Sequence, residues 1–187
     1  MSTPTIPLTY YDIAMRPPVS KTCCSPNPWK SRMALNFKSL PYTTTWVPLP
    51  AIPKVRRNLD LPACRKFADG TDFHTLPILT DPNTDTKIGD SFDIATYLQT
   101  TYPTSGTGDL FPPQTLDFVP RQEFAQLIPL SEQSAGEYEE YARFNRNVDA
   151  VFTAHVVLAV QGMPLDPATE EETKREFVRR AGCRRES

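Results

Sequence analysis

Residues 23–37 read CCSPNPWKSRMALNF, with two cysteines, a serine and two prolines set directly before a run with helical spacing. Asn27 is a good N-cap, and Pro28 suits the first helical position because its missing N–H would have had no partner there. Trp29, Met33 and Phe37 recur every four residues, so the spacing predicts a helix from Pro28 that buries this apolar face. A thiol or hydroxyl just ahead of a helix sits at the positive end of its dipole, where an anion is favoured. Cys23, Cys24 and Ser25 therefore all stand where sulfur or oxygen chemistry could be helped, and the flanking sequence must decide among them.

Working outward, IPLTYYDI at 6–13 is β-prone and runs into an irregular segment carrying Pro17 and Pro18. On the other side, YTTTWVPL at 42–49 predicts a second strand, and AIPKVRRNLD at 51–60 spaces Ile52, Val55 and Leu59 as a short helix. A polar loop, RKFADGTDFH, leads to the strand TLPILTD at 75–81, the turn DPNTDT and a short paired strand TKIGD at 86–90. SFDIATYLQTTY at 91–102 is helical, with Asp90 as its N-cap and Asp93 adding negative charge to the first turn. The order is strand, helix, strand, helix, strand, strand, helix.

Residues 103–120, rich in glycine and proline and without periodicity, mark a boundary. Beyond it, Tyr138, Tyr141, Phe144, Val148, Val151, Phe152, His155, Val156 and Ala159 keep helical spacing from about 131 to 161. A further helix at 168–180 has acids at its start and bases at its end. The prediction is an α/β unit over residues 1–105 followed by an all-α unit over 106–187.

With 20 Lys and Arg against 22 Asp and Glu, the chain has a formal net charge of -2, which leaves no broad basic surface for nucleic acid. There is no signal-like N-terminus and no apolar run long enough to span a bilayer, so a cytoplasmic protein without membrane partners is expected. Cys23 and Cys24 are adjacent while Cys64 and Cys183 are scattered, a pattern of reduced thiols and not of disulfide staples. The 20 prolines against 7 glycines argue for stiff extended connections. Nucleophile-elbow, P-loop and dinucleotide-binding signatures are all missing. His74 and His155 have no partner at ligand spacing, so no metal is expected, and His155 is most simply a core or pocket-lining residue.

The element order, joined to a helical C-terminal region, resembles the soluble glutathione transferases, whose N-terminal half is a thioredoxin fold. SPNPWKSRMAL, TLPIL and GDSFDIATYL carry the resemblance, in order and at the spacings that fold requires. It implies that Ser25, one residue before a proline and just before a helix, activates the glutathione thiol as in serine-type members. It implies a cis peptide at Leu76-Pro77 offering backbone hydrogen bonds to the cysteinyl unit, and seats the γ-glutamyl end on Asp90 and Ser91. Asn27 and Trp29 join them as glutathione-binding candidates.

In thiol-reductase relatives the residue before this first proline is a cysteine, and here that place is Ser25, with Cys24 one step upstream as runner-up nucleophile. Cys23, Cys64 and Cys183 are expected to be spectators. For the glycyl carboxylate Lys66 and His74 are the candidates. SPNPWKSRMALNFKSLPYTTTWV looks most like the fungal branch related to bacterial β-etherases. That likeness implies glutathione transfer to a hydrophobic, aromatic electrophile, as in detoxification. It also admits glutathione-dependent ether cleavage, isomerisation or a step of secondary metabolism, and a non-catalytic ligand-binding or regulatory protein. Residues 106–187 are fewer than the family's helical domain carries, so an apolar face on helix 131–161 and a homodimer are expected.

Overall fold

The computed structural model describes residues 4–67, 69–121, 136–156, 158 and 162–180. Cys183 and the ends of the helical stretch expected at 131–161, namely 131–135 and 159–161, lie outside the described residues. Strand β1 (Leu8–Ile13) runs parallel to β2 (Tyr42–Val47) and antiparallel to β5 (Ile78–Asp81), which pairs antiparallel with β6 (Thr86–Ile88). The resulting mixed sheet has the order β2-β1-β5-β6. This is the expected thioredoxin-like α/β arrangement, followed by a helical region.

Alternation along β1 divides the core. Leu8 and Tyr10 face helices α2 (Pro26–Phe37) and α4 (Ser91–Thr101), where Ala34, Leu35, Leu79, Ile94, Leu98 and Tyr102 complete a buried cluster. Tyr11 and Ile13 face the other way, toward Val47, Leu49, Ile52, Leu76 and Ile78. Helix α3 (Ile52–Asn58) contributes to that second face, and so does Phe177 of the last described helix. Each fully buried Leu or Ile contributes about 1.5–3 kcal/mol, which makes these two clusters the main drive for folding.

Helix α2 corrects two expectations. Its N-cap is Ser25, not Asn27, and the helix takes in Pro26 and Asn27 as well as Pro28. Its buried residues are Pro28, Ser31, Ala34 and Leu35, whereas Trp29, Met33 and Phe37 are 38%, 57% and 40% exposed. Small side chains on the inner face allow α2 to lie close against the sheet and α4, and Tyr10 donates its hydroxyl hydrogen to the Pro28 carbonyl across that contact. The apolar spacing therefore marks the outer face.

The segment expected to be irregular after β1 contains a one-turn helix α1 (Val19–Thr22). The polar loop at 65–74 contains a small hairpin, β3 (Arg65–Lys66) with β4 (Asp72–Phe73). In the C-terminal region, α5 (Glu139–Ala154) and α6 (Glu170–Arg180) are the described regular helices. Helix α5 is tied to α2 by Lys30, whose ammonium donates to Asn145 Oδ1 at 2.7 Å and pairs with Asp149. No helix among the described residues is long and apolar enough to cross a membrane.

Candidate active site

Residue 25 occupies the cap position of α2 with an extended backbone, φ -73° and ψ 123°, yet its side chain makes no cap hydrogen bond. A serine there normally gives its oxygen to an N–H of the first turn. Here Pro28 has no N–H to offer, and the Trp29 amide bonds to the Ser25 carbonyl at 3.2 Å. Because Pro26 and Pro28 lack amide hydrogens, the Asn27 amide is the donor that this helix start keeps for an anion. The Ser25 hydroxyl and the dipole of α2 thus remain for a ligand.

A cleft of about 160 Å³ is lined by Ser25, Asn27 and Leu76 together. The Asn27 side-chain oxygen is buried without a hydrogen-bond partner among the described residues, an acceptor suited to a ligand N–H. Leu76 precedes Pro77 through a cis peptide at the start of the central strand β5, as the resemblance implies. The remaining wall is apolar where Met15, Phe152, Val156, Met163 and Phe177 meet and basic where Arg65 and Arg180 stand. Helices α5 and α6 therefore build half of a cleft whose other half is the sheet and the start of α2.

Asp90 and Ser91 do not line this cleft. They are 8% and 5% exposed at the start of α4, where one Asp90 carboxylate oxygen accepts the Phe92 amide at 2.8 Å as an N-cap. Buried Arg56 links them to the cleft floor, its guanidinium donating to the Thr75 carbonyl at 2.8 Å and to the Gly89 carbonyl at 2.9 Å. The residue before Leu76 and the residue before Asp90 are thereby held by one side chain.

Trp29 also stays outside the cleft, turning its indole N–H to the Cys23 carbonyl at 2.9 Å. Cys24 lines a smaller neighbouring hollow with Pro26, Phe152, Val156 and Met163. Its thiol is pushed above the ordinary range by burial and by the nearby Cys23 and Asp12 charges, opposite to the lowering expected at a helix start. Cys23 is shifted the same way, chiefly by burial.

Of the candidates for a terminal carboxylate, neither Lys66 nor His74 lines the cleft. Lys66 pairs with Asp72 at 3.6 Å, and the His74 pKa is depressed by burial and by the Arg56, Arg57 and Arg180 charges around it. Arg65, Thr75, Asp149 and Arg180 line the cleft in their place. For Arg180 a signal existed: Thr173, Phe177 and Arg180, at i, i+4 and i+7, share the inner face of α6. His155 lines an apolar groove with Phe118, Val148, Val151, Phe152 and Leu158. Among the described residues no cluster of His, Cys, Asp and Glu side chains could hold a metal ion.

The chain thus has a thioredoxin-like sheet with a cis proline at the start of its central strand, and a serine at a helix start lines the same cleft as the residue before that proline. Residues 24–101 match the family model of the glutathione S-transferase N-terminal domain. The chain is 32% identical over 102 residues to a glutathione S-transferase-like protein, ustS, of Aspergillus flavus, an alignment covering 52% of this chain and 36% of that protein. It is 44% identical to the glutathione transferase GSTFuA3 of Phanerochaete chrysosporium over 54% of this chain and 40% of the other, with a TM-score of 0.51. The glutathione S-transferase CsGST63524 of Ceriporiopsis subvermispora, solved in complex with glutathione, is 28% identical with a TM-score of 0.65 over 95% of this chain and 61% of the other. The chain thus spans about a third to three fifths of the length of these relatives.

Proposed function

We propose that the cleft binds glutathione and that Ser25 activates its thiol for attack on a hydrophobic, aromatic electrophile. The observation that carries this is a cap serine whose side chain makes no cap bond and which lines the same cleft as Leu76, next to the cis proline. Glutathione reacts as a thiolate, and a hydroxyl hydrogen bond together with a helix start stabilises that anion. In this reading residues 1–105 hold the tripeptide, with the cysteinyl backbone on Leu76, the Asn27 oxygen accepting an N–H and the γ-glutamyl end reaching toward Asp90 and Ser91. Residues 106–187 supply the apolar wall of Phe152, Val156, Met163 and Phe177 for the electrophile, and the chain acts as a homodimer of the serine type.

The raised Cys24 thiol favours Ser25 over a cysteine mechanism. Turnover of glutathione with 1-chloro-2,4-dinitrobenzene tests the proposal. Ser25→Ala lowers kcat/KM by roughly 10- to 100-fold, the loss expected for one charge-assisted donor to a developing or bound anion. Equal turnover by both proteins overturns the role of Ser25.

A further inference from the structure

Strand β2 is an edge of the four-stranded sheet, with β1 as its neighbour on one side and no strand on the other among the described residues. The Leu8 amide donates to the Pro41 carbonyl at 3.0 Å, and the Ala14 amide donates to the Val47 carbonyl at 2.8 Å. Backbone direction alternates along a strand, so the odd-numbered residues of β2 turn their N–H and C=O groups to β1. Tyr42, Thr44 and Trp46 turn theirs to the open edge, where no turn, cap or other loop bond among the described residues reaches them.

An open edge is ordinarily blunted by charge, proline or shortness. The opposite edge follows that rule, since β6 has three residues with Lys87 in the middle. Strand β2 has six, YTTTWV, all uncharged and all β-formers. Pro41 and Pro48 bracket the strand and confine further pairing to these residues. Helix α2 holds them from behind: Arg32 Nη1 donates to Tyr42 Oη and to Thr44 Oγ1, each at 3.4 Å, and the guanidinium lies 5.2 Å from the Trp46 ring centre. Asp12 balances the charge of that arginine.

The stretch is also close to palindromic, reading aromatic, Thr, Thr, Thr, aromatic about Thr44. A second copy laid antiparallel on this edge and centred on Thr44 sets Tyr42 opposite Trp46 and Thr43 opposite Thr45. Every residue with outward backbone groups then meets another of the same kind, and three such pairs exchange about six hydrogen bonds. Aromatic and Thr–Thr pairs are favourable across strands. Trp29 flanks the same guanidinium at 5.9 Å and is 38% exposed, so apolar surface continues from the edge onto α2. A strand of another protein could satisfy the backbone, but only a second copy uses the palindrome.

We infer that β2 is the surface through which two copies of this chain associate, pairing antiparallel about Thr44 into one continuous sheet. The contact is isologous, with the same residues on both sides. It rests on the homodimer of the proposed function, to which it gives a surface, and is independent of what the cleft binds.

Sedimentation equilibrium of the full chain tests it, together with amide exchange resolved by NMR. Thr43 and Thr45 have exposed side chains and give their backbone to β1, so substitutions there leave the outward groups in place. The parent sediments as a dimer in which the Tyr42, Thr44 and Trp46 amides exchange slowly, and dilution to the monomer speeds these three but not Thr43 and Thr45. Thr43→Lys with Thr45→Lys sets like charges opposite each other and raises the dimer Kd about 10-fold or more. Thr43→Lys with Thr45→Glu sets opposite charges across the same pairs and associates like the parent. A parent dimer that the two lysines leave unchanged, or whose outward amides exchange as fast as in the monomer, overturns this surface and leaves the homodimer standing. A parent that stays monomeric overturns both and leaves the edge to a strand of another protein. Should the double-lysine variant fail to fold, the amide pattern of the parent decides.

Discussion

The guanidinium of Arg56 fills the space that a side chain at residue 89 would need: a Cβ built on Gly89 would lie 2.3 Å from Arg56 Nη2. Arg56 is 2% exposed and cannot easily move aside, because it donates to the Pro62, Thr75 and Gly89 carbonyls. The glycine before Asp90 is therefore a packing requirement of the arginine that ties α4 to the cleft floor. Gly89→Ala destabilises the protein by about 1–3 kcal/mol, the range for overpacking. Urea unfolding measures it, and an unchanged midpoint would show that Arg56 is not held as described.

A buried ion pair joins β1 to α2. Arg32 Nη2 lies 2.6 Å from Asp12 Oδ2, with Asp12 at 1% side-chain exposure, and the guanidinium is 5.2 Å from the ring centres of both Tyr10 and Trp46. Removing one partner strands the other charge, so Arg32→Leu costs about 3–5 kcal/mol. Arg32→Leu with Asp12→Leu recovers part of that loss. A double variant no more stable than the single one would contradict the pairing.

Asp81 sets an acid limit on stability. Burial alone would raise its pKa, but hydrogen bonds from the Tyr102 and Tyr97 hydroxyls and from Asn83 outweigh it and hold the carboxyl below its ordinary value. A carboxylate whose folded pKa is depressed adds stability above its unfolded pKa of about 3.9, and that stability is lost as pH falls through the folded value. Asp81→Asn therefore lowers stability by about 1–3 kcal/mol at neutral pH and flattens its decline below about pH 4. Identical pH profiles for parent and variant would contradict this.

How far the sequence could be read follows from particular residues. The strands and the helix at 91–101 were legible because alternation, Asp90 as cap and the turn chemistry at 81–86 all point the same way. The inner face of α2 was not, since Ser31 and Ala34 make the close contact while Trp29, Met33 and Phe37 have the stronger apolar spacing. The β3–β4 hairpin has only two residues in each strand and leaves no periodicity to detect. At the site, Ser25, Asn27 and Leu76 were candidates through the family resemblance and not through any pattern of their own, and all three line one cleft. Trp29, Asp90 and Ser91 fall outside its lining, and Arg180 was read only as a dipole-complementing base because its burial depends on packing across the chain.

The hydroxyl of Ser25 is tested most directly through the ionisation of bound glutathione, followed by thiolate ultraviolet absorbance across pH in parent and Ser25→Ala proteins saturated with the tripeptide. A charge-assisted hydrogen bond supplied by Ser25 gives the parent a bound-thiol pKa about 1–2 units below that in Ser25→Ala. Coincident titration curves, or a bound thiol that ionises as it does in free solution, would contradict the assignment of this cleft.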